Sequence, residues 1–234
     1  MRMIARFEKR GVARHVAHLD LLRAMQRALR RAHLPVKYSE GFNPHQVIAF
    51  GSAMSVGMES RGEWLDVALR ETLAEEEFLA RAAAQMPPGI TLQEAHAVPD
   101  NYPALMRIIA SADYEVALQL TQELTQPDWQ ARLQAAQAAP ILAMKKSKKG
   151  QKEIDLRELI LSVQDQPGRF ARGQAGGTLA GLQLRLVHAS SGALNPLLLL
   201  PALLQAMNLT GSYRIVRQGL YAEKDGAPCP VWLL

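Results

Sequence analysis

One cysteine, Cys229, is all the thiol in this chain of 234 residues. A single thiol excludes an internal disulfide, a cysteine-based zinc site and iron–sulfur ligation. It fits a reducing cytoplasm, which is the expected location. Long apolar runs are missing too. The densest, LNPLLLLPALLQAM from Leu194 to Met207, is too short for a membrane span and holds two prolines, so it reads as a buried helix. The N-terminus, MRMIARFEKR, has no apolar signal core, and neither export nor membrane association is expected. No cluster of Cys, His or carboxylates stands at ligand spacing, so no metal and no cofactor is expected. GRFARGQAGGTLAG, with Gly173, Gly176 and Gly177, lacks the Lys-Ser/Thr of a P-loop and the spacing of a dinucleotide fingerprint. It reads as a flexible loop. Nucleophile-elbow and zinc-protease motifs are absent as well.

What is there is a globular composition, 48% hydrophobic, in a chain long enough to bury a real core. The net charge is +5 and unevenly spread: +7 over residues 1–33, −5 over 34–98, −3 over 99–143 and +6 over 144–234. Two basic blocks flank an acidic middle. Basic patches attract polyanions such as nucleic acid or an acidic protein surface; a solvated basic face is the plainer alternative.

The hydrophobic pattern predicts the elements. Arg2 to Phe7 alternates as a half-buried strand does, with Ile4 out of step. Residues 18–33 predict a helix. His18, Leu21, Leu22, Met25, Ala28, Leu29 and Ala32 share one arc, and Arg23, Arg27, Arg30 and Arg31 lie opposite. Asp20 suits the first turn, but the N-cap position holds Ala17, so half of a capping box is missing. Strands are expected at Gln46–Phe50, Glu63–Leu69 and Ile90–Ala97, with a helix between the last two, capped by Thr72 and stopped at Pro87-Pro88-Gly89. That order is β-α-β-β-α-β. After a linker, Val98 to Pro103, it recurs: a strand at Ile108–Leu120, a helix at Asp128–Ala138, strands at Ile141–Met144 and Glu153–Leu161 around KKSKKGQK, a strand at Leu179–Val187, a helix at Asn195–Met207 and a strand at Tyr213–Tyr221. The expected fold is α+β, two tandem ferredoxin-like (βαββαβ) domains with antiparallel sheets, at residues 1–98 and 104–234.

Three features carry candidate chemistry. The lysine-rich turn, with Lys145, Lys146, Lys148, Lys149 and Lys152, and the arginine face, Arg23, Arg27, Arg30 and Arg31, are candidate phosphate contacts. Each is otherwise a solvated charge run. YSEGFNPHQVIAFG, residues 38–51, places Tyr38, Phe42, Asn43 and His45 in one turn-rich link. Gly41 permits an unusual backbone and Pro44 biases Asn43 toward an extended form. His18 and His45 are the candidates for general acid–base work, with His18 also readable as a core histidine.

The run from HLDLLR (18–23) through RALRRAHLP (27–35), YSEGFNPH (38–45), GMES (57–60) and Glu63, Leu65 and Asp66 resembles the small radical SAM-linked proteins, as does KKGQKEIDLRELI in the second half. That family is a bacterial domain of unknown function, found alone or fused to the C-terminus of a radical SAM protein. Two positions depart from its pattern. Ala17 stands where it usually has serine, and Gln46 where it has proline. The resemblance implies a radical SAM partner in trans, and proximity to a ribonuclease of the E/G type and to ribosomal proteins implies RNA or a ribonucleoprotein. A tandem ferredoxin-like arrangement is also similar to the CRISPR RNA-processing endoribonucleases. Without a CxxxCxxC motif the chain is not itself the radical enzyme. The expected function is an accessory RNA-binding or substrate-presenting subunit. The alternatives are a metal-independent endoribonuclease using His18 or His45 and a protein-only adaptor.

Overall fold

The computed structural model describes residues 1–147, 150–173 and 176–234. The fold is mixed α+β, mostly strands with five helices among the described residues. In chain order the elements are β1 (Arg2–Lys9), α1 (His18–Arg31), β2 (Ile48–Phe50), β3 (Glu59–Ala68), α2 (Glu75–Ala83), β4 (Ile90–Val98), α3 (Leu105–Ile108), β5 (Ile109–Leu120), α4 (Gln126–Ala138), β6 (Leu142–Ser147), β7 (Gly150–Asp155), β8 (Ile160–Asp165), β9 (Ala171–Arg172), β10 (Thr178–Ala189), β11 (Gly192–Ala193), α5 (Pro196–Ala206), β12 (Gly211–Lys224) and β13 (Ala227–Cys229). They form two compact units, one of residues 1–110 and 217–234, the other of residues 111–216.

In the first unit β4, β1 and β3 are neighbours, all antiparallel, and β2 pairs with β3 through Ile48–Val67, Ala49–Asp66 and Phe50–Leu65. Period-2 alternation sends Met3, Ala5 and Phe7 to one face, where they pack with Leu65, Val67 and the apolar stripe of α1: Leu21, Met25 and Leu29. Phe78 and Ala82 of α2 complete that core. The out-of-step Ile4 is fully buried on the other face, opposite Asp66 and His96. That face is covered too: Trp232 packs on Trp64 and stacks on His96 at 4.1 Å, and the Tyr102 hydroxyl donates to the Val231 carbonyl at 2.5 Å. A sheet covered on both faces needs apolar residues at consecutive positions, which explains Ile4. Arg2, on the same face, is bound to the Asp66 carboxylate and to the Tyr102 carbonyl.

Gly89 (φ +82°) precedes β4, and its carbonyl accepts from the Arg10 N–H at 2.8 Å. A Cβ at position 89 would lie 2.4 Å from the Arg10 carbonyl oxygen and 2.9 Å from the Ala13 Cβ. The helix α2 starts differently from expectation. Its N-cap is Ala74, with no side-chain cap, and not Thr72. Glu75, Glu76 and Glu77 in the first turn supply the favourable charge instead.

In the second unit β10 pairs antiparallel with β5 from Thr178–Leu120 to Val187–Ser111, and with β8 and β9. The residues of β12 up to Val216 follow β5 in the strand order. Arg185 and Asp113, directly opposite in register, form a two-pronged ion pair at 2.7 Å. Helix α4 is opened by a capping box, Thr125 with Asp128. It buries Trp129, whose indole N–H donates to Asp165 Oδ1 at 2.8 Å. Helix α5 is the leucine-rich run, capped by Asn195 and burying Leu199, Leu200 and Leu203. The strand expected at Glu153–Leu161 is two strands: β7 ends at Asp155, a short turn through Arg157–Leu159 follows, and β8 starts at Ile160. Leu156, fully buried with its N–H bonded to the Ile141 carbonyl, anchors the break.

Candidate functional site

Lys9 closes β1 and is 2% exposed, the least expected place in the chain for an ammonium group. Its Nζ donates to the Val16 carbonyl at 2.9 Å, which ties the end of β1 to the entry of α1. Burial pulls its pKa below the usual lysine range, and the nearby Glu63 carboxylate pulls the other way. Glu63 lies on β3 opposite Phe7 and accepts from Arg217 Nη1 at both carboxylate oxygens, each at 3.1 Å. Arg217 Nη2 also reaches the Ala53 carbonyl at 3.4 Å, and Ser52 Oγ donates to that same oxygen at 2.9 Å. The loop after β2 is thereby pinned over the end of the sheet.

Between these parts lies a small void of about 10 Å³, room for about one water, lined by Phe7, Lys9, His18, Leu21, Phe50, Ser52, Met54 and Glu63. Its walls are half apolar (Phe7, Leu21, Phe50, Met54) and half polar (Lys9, His18, Ser52, Glu63). His18, the first residue of α1, is exposed and sets its ring edge-on against Phe50 at 5.2 Å. Ala17, the N-cap, has extended backbone (φ −69°, ψ 159°) and offers no side-chain cap. Beside the void the segment 11–15 is held by Glu59, which accepts from the Gly11 N–H at 3.1 Å and faces Arg14 at 3.8 Å.

The link 38–47 is a second locus. An isolated bridge joins Tyr38 to Gln46, the Ser39 N–H donates to the His45 carbonyl at 2.8 Å, and Ser39 Oγ meets His45 Nδ1 at 2.9 Å and accepts from the His45 N–H at 3.1 Å. Gly41 at φ +111° makes the turn. Phe42 at the tip is fully exposed, Tyr38 is 40% exposed, and Asn43 and His45 are exposed. Gln46 is 4% exposed, and its Oε1 has no hydrogen-bond donor among the described residues. His18 and His45 are not brought together: among the described residues no hydrogen bond or ring contact joins them.

Arg23, Arg27, Arg30 and Arg31 lie exposed on α1. Arg23 pairs with Asp20 at 3.3 Å, and Arg31 donates to the Gln85 carbonyl at 2.7 Å beyond α2. Arg27 and Arg30 have no acceptor among the described residues. In the second unit, β6 and β7 pair with each other, Lys145 opposite Lys152, as a sheet of their own. Lys152 is exposed, and with Glu153, Asp155 and Arg157 it lines an open groove. Arg157 and Asp155 pair at 2.7 Å, which raises the arginine and lowers the carboxyl from their usual ranges. Lys148 and Lys149 lie outside the described residues, as do the side chains of Lys145 and Lys146.

Residues 2–196 match a family model described as "Uncharacterized protein conserved in bacteria (DUF2344)". The chain belongs to this family. No curated protein matches it. A solved structure of an unknown protein from Galdieria sulphuraria is similar at 11% identity and a TM-score of 0.24, over 92% of this chain and 97% of that one. At that score the likeness carries no argument about fold or function. Among the described residues of this family member, no helix is long and apolar enough to cross a membrane, and no group of three His, Cys, Asp or Glu is placed to hold a metal.

Sequence reasoning missed Lys9, Glu63 and Arg217 as a group. Lys9 follows the expected strand Arg2 to Phe7 and stands in no motif. The available signal was charge at core-facing positions: Glu63 shares its side of β3 with Leu65 and Val67.

Proposed function

We propose that this family member is an accessory subunit that binds single-stranded RNA and presents it, or a ribonucleoprotein substrate, to a radical SAM partner. The observation that carries the reading is Phe42, a fully exposed aromatic at the tip of a loop braced by Ser39 and His45. Unpaired bases stack on exposed aromatic rings. Tyr38, Asn43 and His45 stand beside it for edge contacts. Arg27 and Arg30, without internal acceptors, supply phosphate contacts, with the lysine-rich turn as a second patch. Radical chemistry would come from the partner, since the single Cys229 cannot ligate a cluster.

We infer that each unit is a ferredoxin-like (βαββαβ) domain. Its support is the strand order, β4-β1-β3-β2 in the first unit and β12-β5-β10-β8 in the second, with the β6–β7 hairpin inserted.

Filter binding of single-stranded RNA across a salt series tests the function. Retention that falls with salt, and falls further in Phe42→Ala, is expected. A flat salt response, or no RNA retained at low salt, removes the reading and leaves a protein-only adaptor.

A further inference from the structure

The neck of the 39–45 loop is closed by three hydrogen bonds, and one of them decides the chemistry of His45. The Ser39 N–H donates to the His45 carbonyl at 2.8 Å, the His45 N–H donates to Ser39 Oγ at 3.1 Å, and Ser39 Oγ lies 2.9 Å from His45 Nδ1. A serine hydroxyl has one proton to donate and two lone pairs to accept with. Ser39 Oγ already accepts from the His45 N–H, and Nδ1 is the one acceptor within its reach among the described residues. The hydroxyl therefore donates to Nδ1, which is the unprotonated nitrogen of the neutral ring. The ring proton then sits on Nε2, because the bond made by one imidazole nitrogen sets the state of the other.

A second observation gives this donor a use. Nε2 has no partner among the described residues, and the His45 side chain is exposed. With Nδ1 held in the neck, Nε2 lies on the side of the ring away from it. Phe42, fully exposed, stands midway along the loop between Ser39 and His45. One short, braced loop thus carries an open aromatic face and an open N–H. A single-stranded nucleotide offers the complement of both, a base to stack and acceptor atoms to bond. Both groups are set before any ligand arrives, which lowers the ordering cost of binding.

We infer that His45 is a specificity-determining contact for the nucleotide stacked on Phe42, its Nε2–H meeting an acceptor oxygen or nitrogen, and that Ser39 is the positioning residue that sets this tautomer. The inference rests on the RNA reading above and adds the atom that touches the nucleotide and what that atom can read. An acceptor on phosphate carries no base preference. An acceptor on a base edge favours uracil or guanine, whose carbonyl stands where cytosine and adenine carry an amino group. Merely closing the loop would need no particular tautomer, so the ring itself is the informative readout.

Long-range ¹H–¹⁵N spectra of the histidine rings test the first half on the full chain, at alkaline pH where imidazoles are neutral. The His45 signals are assigned by their loss in His45→Gln. Wild type and Ser39→Thr should show the Nε2–H form, and Ser39→Ala should move the Nδ1 signal as its hydrogen bond is lost. A predominantly Nδ1–H ring in wild type, or a ring unchanged in Ser39→Ala, overturns the inference whether or not RNA binds. Filter binding of short single-stranded uridine, cytidine and adenosine oligomers tests the second half. His45→Ala should weaken binding about 2- to 10-fold, Ser39→Ala by part of that, and His45→Gln, which keeps an amide N–H donor, by less than His45→Ala. Equal loss on all three oligomers assigns a phosphate acceptor, and loss confined to uridine assigns a base edge. RNA that weakens in Phe42→Ala but not in His45→Ala overturns this inference alone. RNA retained by none of the proteins removes the reading above and this inference together.

Discussion

Arg217 and Glu63 form a buried ion pair across 154 residues of sequence, one guanidinium nitrogen reaching both carboxylate oxygens at 3.1 Å with side chains 3% and 4% exposed. It joins β3 to the returning C-terminal segment and sets the charge beside Lys9. Taking two charges out of water is expensive, so such a pair is poor evidence of stability and better evidence of a required geometry.

Removing one partner strands the other. Arg217→Met or Glu63→Leu should each destabilise by about 3–5 kcal/mol, and the Glu63→Leu/Arg217→Met double variant should recover most of that loss. Urea unfolding of the four proteins completes the cycle. Additive losses in the double variant would show that the pair is not coupled.

Phe42 makes no packing contribution at full exposure. Phe42→Ala should leave unfolding within about 0.5 kcal/mol of wild type, while weakening single-stranded RNA binding by about 1–3 kcal/mol, roughly 5- to 150-fold. Equal affinity of the two proteins for RNA would remove the stacking role.

Arg27 and Arg30 are predicted to act through charge alone. Replacing both by alanine should lower the slope of log K against log salt by about 1.4 for single-stranded RNA, at about 0.7 per contact. An unchanged slope would place the phosphate contacts elsewhere.

Ala17 already holds extended N-cap backbone with nothing to cap. Ala17→Ser should therefore stabilise the protein by about 0.5–2 kcal/mol, read as a higher urea midpoint with unchanged m.

Lys9 sets a pH dependence of known sign. Its folded pKa lies below the unfolded 10.5 because burial disfavours the ammonium. Below the folded value both states hold the proton, and the folded state bears the cost of the buried charge. Between the folded value and 10.5 only the unfolded state holds it, so stability rises with pH across that window. The stability of wild type relative to Lys9→Met should rise as pH climbs toward 10.5, measured by urea unfolding at matched ionic strength. A fall over that range would mean that the contact with Glu63 outweighs burial.

Much of the architecture was legible in the sequence because it rests on local periodicity. The helix at 18–31 and its split into an apolar stripe and an arginine face need only a 3.6-residue repeat, and the alternation Met3, Ala5, Phe7 needs only a repeat of two. What escaped depends on distant neighbours. Ile4 looked like noise because its cover, the segment around Trp232, arrives from the other end of the chain. The break at Leu156 hides inside a stretch that alternates charged and apolar residues, EIDLRELIL, where a buried turn residue and a strand residue look alike. Lys9 reads as surface in any local window, and only the meeting of β1, the entry to α1 and Glu63 makes it interior.

Gly89 gives the junction of β1 and α1 an adjusting screw. Any side chain there must push back the Arg10–Ala13 segment, which directly follows Lys9 and leads to its acceptor, Val16. A single change on that turn, touching neither Lys9 nor Val16, would move the hydrogen bond that joins them. Substitutions at position 89 are thus a route by which drift or laboratory selection can shift the end of β1 against the entry of α1 while every chemical group between them stays the same.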